Sequence, residues 1–269
     1  MKGRRKISGL FIYAIFYLAF LYIPVLFLPL FSFNNSMFIA FPLAGFTTQW
    51  YGQMFADDAI QQALLNSLKV GAIAALVSTA LGLPAAKALT RYRVPGGGAM
   101  LGFVNLPLFI PEIVLGISLL ILLNAVSVPL SLLTVALGHI VICVPFAITV
   151  LMSRMEGFDK SLEEASLDLG ETGWMTFWRV TFPLVLPGVI SSLLLTFMVS
   201  FDDFLVAYFL AGTDVTLPLY IWGQLRFPYK LPVVLALGAM VLLVSGILVV
   251  FAEWIRSLGV AGNRRAVGA

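Results

Sequence analysis

The chain has 269 residues, 61% of them hydrophobic and 11% charged, with a mean hydropathy of +1.02, which excludes a soluble domain. The net charge of +3 does not point to nucleic acid, because the basic residues sit at the ends of apolar runs without interleaved aromatics. The single cysteine, Cys143, excludes a disulfide framework and a Cys-based metal site, and no metal or cofactor is expected.

In chain order, Lys2, Arg4, Arg5 and Lys6 precede an apolar run from Leu10 to Phe31, long enough for the ~20 residues that a helix needs to cross a bilayer. A signal peptide would have a shorter apolar core and a small-residue cleavage site, so this reads as an uncleaved first span. Pro24 and Pro29 are expected to kink its outer half. Residues 32–63 form a polar-aromatic segment with Asn34, Asn35, Trp50, Tyr51, Asp57 and Asp58. It predicts a short helix lying in the outer interface, the depth that Trp and Tyr favour. A second span covers about Leu64–Leu89, with Lys69 able to snorkel near its outer end. Arg91 to Gly98 is then a tight inner turn, and its triple glycine is no phosphate loop because no Gly-Lys-Ser/Thr follows.

A third span, about Ala99–Leu123, carries Pro107, Pro111 and Glu112. A brief turn leads to a fourth, about Leu130–Met152, whose His139 reads as a packed or hydrogen-bonded core residue rather than a ligand. A fifth span, about Leu186–Leu210, is interrupted by Asp202-Asp203; a sixth covers about Leu231–Ile255. With both termini cytoplasmic, the inner segments hold 13 of the 16 basic residues, and only Lys69, Arg226 and Lys230 lie outside. That bias sets the orientation. The fold expected is an all-α membrane bundle of six spans forming a single domain, 1–269.

Between the fourth and fifth spans lies a polar segment, about 153–187, holding six of the thirteen acidic residues. Leu162, Ala165 and Leu169 recur at helical spacing with charges opposite; Gly170 and Gly173 then break the run, and Pro183 and Pro187 close it. It is either a solvated loop with an amphipathic turn or a short surface helix built to dock into another protein. The charge bias puts it in the cytoplasm.

Glu112, Asp202 and Asp203 are acids at membrane depth. Such groups are costly there and mark functional sites by default. A rise of ~1.5 Å per residue puts Glu112 ~20 Å and Asp202 ~24 Å from the inner ends of their spans. Adjacent aspartates point about 100° apart on a helix, so one of the two is expected to face a pore. Each acid could equally make a structural hydrogen bond to a neighbouring helix. No Walker loop, His-x-x-x-His pair or Ser/His/Asp set that a membrane bundle could assemble is expected, so the chain reads as non-catalytic. Its energy must come from a partner subunit or an ion gradient. A secondary transporter would show matching broken-helix repeats, and none is convincing. A purely structural scaffold is disfavoured by the three acids.

Glu164-Ala165-Ser166, Gly170 after three intervening residues, then Phe177, Val180, Pro183 and Pro187 resemble the EAA loop of ABC importer permeases. Ser166 departs from that pattern, replacing the second Ala. The outer segment SFNNSMFIAFPLAGFTTQWY, PEIVLGISLL in the third span and SFDDFLVAYFLAG in the fifth are similar to the spermidine/putrescine branch. LPLYIWGQLRFPYKLPVVLAL departs from that branch, lacking its Asn-Ala segment.

The resemblance implies a type I ABC importer permease in the bacterial inner membrane. It also implies an ABC ATPase dimer docked inside through Glu164, Ala165, Ser166, Gly170 and Pro183. A solute-binding protein is expected outside, with a second permease, homologous or identical, completing the pore. The implied cargo is a polyamine, although related permeases carry opines, phosphonates or iron. The acids and the aromatic faces of Phe201, Phe204 and Tyr208 suit a polycation.

Overall fold

The computed structural model describes residues 9–266, with side chains through residue 251. Lys2, Arg4, Arg5 and Lys6, and the side chains of Arg256, Arg264 and Arg265, on which part of the charge bias rests, lie outside the described residues. The described residues form helices and turns with one isolated bridge, Asn34 to Phe46, and no strand. Five helices are long and apolar enough to cross a membrane, or six if one bent pair counts as a span. The chain divides into two compact units, one through Gln61 plus Ile221–Val244, the other Gln62–Tyr220 plus the residues from Ser245 on.

In the first unit, helix α1 (Gly9–Ser32) is apolar on all sides and keeps Pro24 and Pro29 inside it. The following segment folds around Asn34, which is buried. Its Oδ1 accepts the Ala44 N–H at 3.0 Å, and its carbonyl accepts the Trp50 indole N–H at 2.8 Å. Trp50 lies in the first turn of helix α2 (Gln49–Ala56) and is buried, not spread at an interface as its residue type suggested. The buried indole N–H needs a partner, and Asn34 provides it. An ion pair from Lys230 Nζ to Asp57 Oδ2, at 3.7 Å, closes the unit's polar end.

The second unit holds most of helix α3 (Asp58–Arg91), which is longer than the second span expected, and helices α4 (Gly97–Phe109) and α5 (Glu112–Ala125). Gly96, at φ +71°, makes the tight turn before α4. The predicted third span is not one straight helix. α4 and α5 meet at a 100° bend, where Ile110 is extended (ψ 131°) ahead of Pro111. Proline disfavours helical backbone in the residue before it, so Pro111 stops α4 and opens α5. The depth assigned to Glu112 from a continuous helix therefore does not hold; it is the first residue of α5.

Helix α6 (Leu132–Glu156) is the most buried long helix. After it come the short α7 (Ser161–Asp168) and α8 (Gly173–Thr176). A π turn (Phe177–Thr181) runs α8 into α9 (Phe182–Asp202), and a break separates α9 from α10 (Leu205–Leu210). Helices α11 (Leu217–Gln224) and α12 (Leu231–Ala266) finish the chain. Pro183 and Pro187 do not close a loop as expected; both lie inside a helical run that starts at Gly173. Phe182 bonds the carbonyl of Phe177, five residues back, and this wider turn immediately precedes Pro183, which has no N–H to donate.

Val70 of α3, Leu115 of α5, Val135 and Ile142 of α6 and Val206 and Leu210 of α10 form the main core cluster. Gly138 lets α6 approach α10 closely, since a Cβ there would stand 2.6 Å from Leu210 and 2.7 Å from Val206. Thr79 of α3 and Ser192 of α9 bond across the unit at 3.0 Å.

Candidate functional site

Two places collect the polar chemistry of the second unit. The first is an open cavity of about 290 Å³ at the α9–α10 break, lined by Glu112, His139, Cys143, Ser200, Asp202, Asp203 and Phe204 among others. It joins the start of α5 to the break, so the bend at Pro111 and the break at Asp203 build it together. The interruption of the fifth span at Asp202-Asp203 is thus a real end of helix.

The two aspartates part company here. Asp203 Oδ1 accepts the N–H groups of Val206 at 3.0 Å and Ala207 at 3.2 Å, two of the donors that α10 leaves open at its start. The same oxygen lies 3.1 Å from His139 Nε2, and both side chains are buried. His139 Nδ1 lies 2.7 Å from Ser200 Oγ, so the lone histidine is a hydrogen-bonded core residue, as its setting suggested. Asp202 makes no such cap, is exposed on the chain, and lines the cavity with the equally exposed Glu112.

A Ser/His/Asp set is therefore assembled after all, contrary to the sequence expectation, because the helix break brings Ser200 and Asp203 to opposite edges of one ring. Its sense is reversed from a hydrolase, where the base takes the serine proton at Nε2 and the carboxylate holds Nδ1. Here the carboxylate is committed to two backbone donors, which suits a structural clamp. Phe201 and Tyr208 lie off the cavity wall: Phe201 stacks on Phe197 (5.6 Å between centroids), and Tyr208 packs against Phe204 at 5.6 Å.

The second place is α7 with its flanks. α7 has no buried residue, and Leu162, Leu167 and Leu169 are exposed. Asp159 Oδ1 accepts the Ser161 N–H at 3.0 Å where the helix begins, a bond that holds the Asp159 carboxyl below its usual range. At the other end Gly170 (φ +89°) donates to Leu167 at 2.9 Å, and Glu171 donates to Ser166 at 3.2 Å. That pair of bonds is a Schellman cap, and it needs the left-handed backbone that glycine adopts without penalty. Glu164 and Ala165 are exposed; Ser166 turns in to Thr176, with 3.0 Å between their hydroxyl oxygens. Pro183 sits at the π turn's exit in α9. Of these five residues Glu164, Ala165, Gly170 and Pro183 are exposed, while Ser166 is half-buried.

A family described as "Binding-protein-dependent transport system inner membrane component" matches residues 78–257. The chain belongs to this family. As an inner-membrane component of such a system, it is 36% identical over 233 residues to the putrescine transport system permease protein PotI of Escherichia coli (strain K12). That match covers 84% of this chain and 82% of PotI. The spermidine/putrescine transport system permease protein PotC of the same strain is 34% identical over 233 residues, covering 86% of this chain and 88% of PotC. Among solved structures, a bacterial ABC transporter involved in import of the acidic polysaccharide alginate aligns with a TM-score of 0.69 at 18% identity, covering 92% of this chain and 93% of that one. The MetNI methionine ABC transporter aligns with a TM-score of 0.62 at 17% identity, covering 77% and 98%. At such identities these two speak for the fold alone, which is that of ABC importer permeases.

In this inner-membrane component, sequence reasoning missed Arg91, Glu163 and Thr181 near α7, and Ser200 at the cavity. Arg91 Nε lies 3.3 Å from Glu163 Oε2, and Glu163 Oε1 accepts the Thr181 hydroxyl. The signal available was a Glu-Glu pair at 163–164, of which only the second falls in the EAA pattern.

Proposed function

We propose that the chain, working as one permease domain, passes a small organic polycation of the polyamine class through the inner membrane of a bacterium. The observation that carries this reading is the similarity to PotI and PotC along more than four-fifths of the chain. The cavity is chemically compatible with it. Asp202 and Glu112 supply carboxylates facing open space, and Phe204 an aromatic face, which together attract a polyamine without enclosing it. Tyr208, packed against Phe204, extends that aromatic surface beyond the cavity, whereas Phe201 stacks on Phe197 off its wall. Asp203 is the structural member of the aspartate pair and Asp202 the pathway member.

An ABC ATPase dimer docks on the exposed face of α7 around Glu164 and Ala165, with Gly170, Ser166 and Pro183 shaping that face. A second permease, homologous or a second copy, completes the pore, and an external binding protein delivers the cargo. Both termini are cytoplasmic. Transport in proteoliposomes containing the ATPase and the binding protein tests the reading. Labelled putrescine should enter only with ATP, and the Asp202→Asn, Glu112→Gln double variant should slow entry at least about tenfold, the effect of ~1.4 kcal/mol. Glu164→Ala should leave insertion intact and lower uptake per ATP. Wild-type putrescine entry in the double variant would remove the acids from the pathway.

A further inference from the structure

Arg91 is the last residue of α3, and its side chain is only 6% exposed. A guanidinium keeps its charge at any physiological pH, so burying it requires compensation from its surroundings. The compensation comes from two other elements. Nη2 donates to the carbonyl of Met155 at 2.9 Å, in the last turn of α6, and to that of Phe158 at 3.2 Å, just beyond it. Those carbonyls include the acceptors that a helix leaves open at its negative end. The guanidinium carbon lies 4.1 Å from the centre of the Phe158 ring. The third grip is Glu163 of α7, 3.3 Å from Nε.

α7 buries none of its own side chains, so apolar packing does not fix it to the bundle. Its attachments are polar: Glu163 to Arg91 and Thr181, and Ser166 to Thr176. A helix held only by its connecting loops would move without carrying its neighbours. The ion pair makes α7 move with the end of α3 instead. α3 in turn contributes Val70 to the cluster that includes Ile142, a residue of the cavity wall.

We infer that Arg91 is a positioning residue acting as a transmission joint: it transfers displacement of α7 into α3, and so from the ATPase-facing surface toward the cavity. This rests on the reading of α7 as the docking helix. The contacts favour a rigid joint over a hinge, because Nη2 is bonded to two carbonyls, the Phe158 ring covers the guanidinium face and the Glu163 carboxylate sits at ion-pair distance from Nε, which together leave little freedom to swivel.

The test uses the assembled importer in proteoliposomes, with putrescine as the transported probe and three readouts: ATPase retained, ATP hydrolysed, and putrescine moved per ATP. Arg91→Lys keeps the charge and removes the fork. Phe158→Leu keeps the carbonyls and removes the ring under the guanidinium. Arg91→Lys should retain the ATPase at wild-type stoichiometry and continue hydrolysis, while putrescine moved per ATP falls about tenfold. Phe158→Leu should fall about two- to threefold in the same ratio, and it decides alone if Arg91→Lys fails to fold. An unchanged ratio in the variants that fold overturns the inference. Loss of the ATPase from a folded Arg91→Lys complex also overturns it, assigning Arg91 to the docking face. If the wild-type chain retains no ATPase, the docking reading of α7 falls, and the joint falls with it.

Discussion

Asp202 and Asp203 are adjacent and chemically identical, yet their variants should fail in opposite ways. Asp203→Ala removes the acceptor for the Val206 and Ala207 N–H groups, a capping loss of ~0.5–2 kcal/mol. It also strips His139 Nε2 of its carboxylate at 3.1 Å, and a buried polar group left without a partner costs ~1–3 kcal/mol. Together these give about 1.5–5 kcal/mol, a large share of a typical domain's margin of ~5–15 kcal/mol. Asp203→Asn keeps Oδ1 as an acceptor, so the cap survives and about 1 kcal/mol of charge assistance is lost. Asp202→Asn changes an exposed group with no capping role and should stay within ~0.5 kcal/mol of wild type. Thermal unfolding in detergent, followed by size-exclusion fluorescence, should rank the variants Asp202→Asn, Asp203→Asn, Asp203→Ala from most to least stable. Putrescine uptake per folded molecule should instead fall most in Asp202→Asn. If Asp203→Ala unfolds with wild-type stability, or Asp202→Asn is as unstable as Asp203→Ala, the division into a clamp and a pathway acid is wrong.

Gly170→Ala forces a β-carbon into left-handed backbone at ~1–2 kcal/mol, so the last turn of α7 should open about 5–30 times more often. Amide exchange at Gly170 and Glu171 reads this directly, and unchanged protection there would refute the Schellman assignment. In a Cys143→Ala background, Thr213→Cys should react with a membrane-impermeant thiol reagent from outside the cell, and Ser161→Cys only after permeabilisation. Both positions are exposed on the chain, so reaction of Ser161→Cys in intact cells would invert the proposed orientation.

Composition and apolar run length made the class legible, and the count of spans to within the one bent pair, because the bilayer fixes how long such a run must be. Run length could not reveal where helices break inside the apolar stretches. Pro107 and Pro111 look alike in the sequence, yet Pro107 sits within α4 while Pro111 ends it. Pro183 and Pro187 looked like loop residues, but a π turn lets the helix run through that region. The acids were legible as anomalies in an apolar setting. Their division of labour was not, because it depends on partners 61 and 64 positions away, from His139 to Ser200 and to Asp203. Arg91 escaped notice for a related reason: at the end of a span it satisfied the charge rule for cytoplasmic loops, which hid its burial against α6 and α7.

The π turn at Phe177–Thr181 has a consequence for how the two ends of one long helix are phased. A wider turn holds about one residue more than a regular one, and each residue of an α-helix advances its face by about 100°. Everything upstream, including Trp174 and the connection to α7, is therefore rotated about the axis relative to the membrane-spanning part of α9. Deleting one residue within 177–181 would restore a regular helix without altering the apolar run after it. The surface proposed to meet the ATPase would turn by about a quarter of a revolution while Asp202 kept its place, giving a dial on the proposed docking geometry.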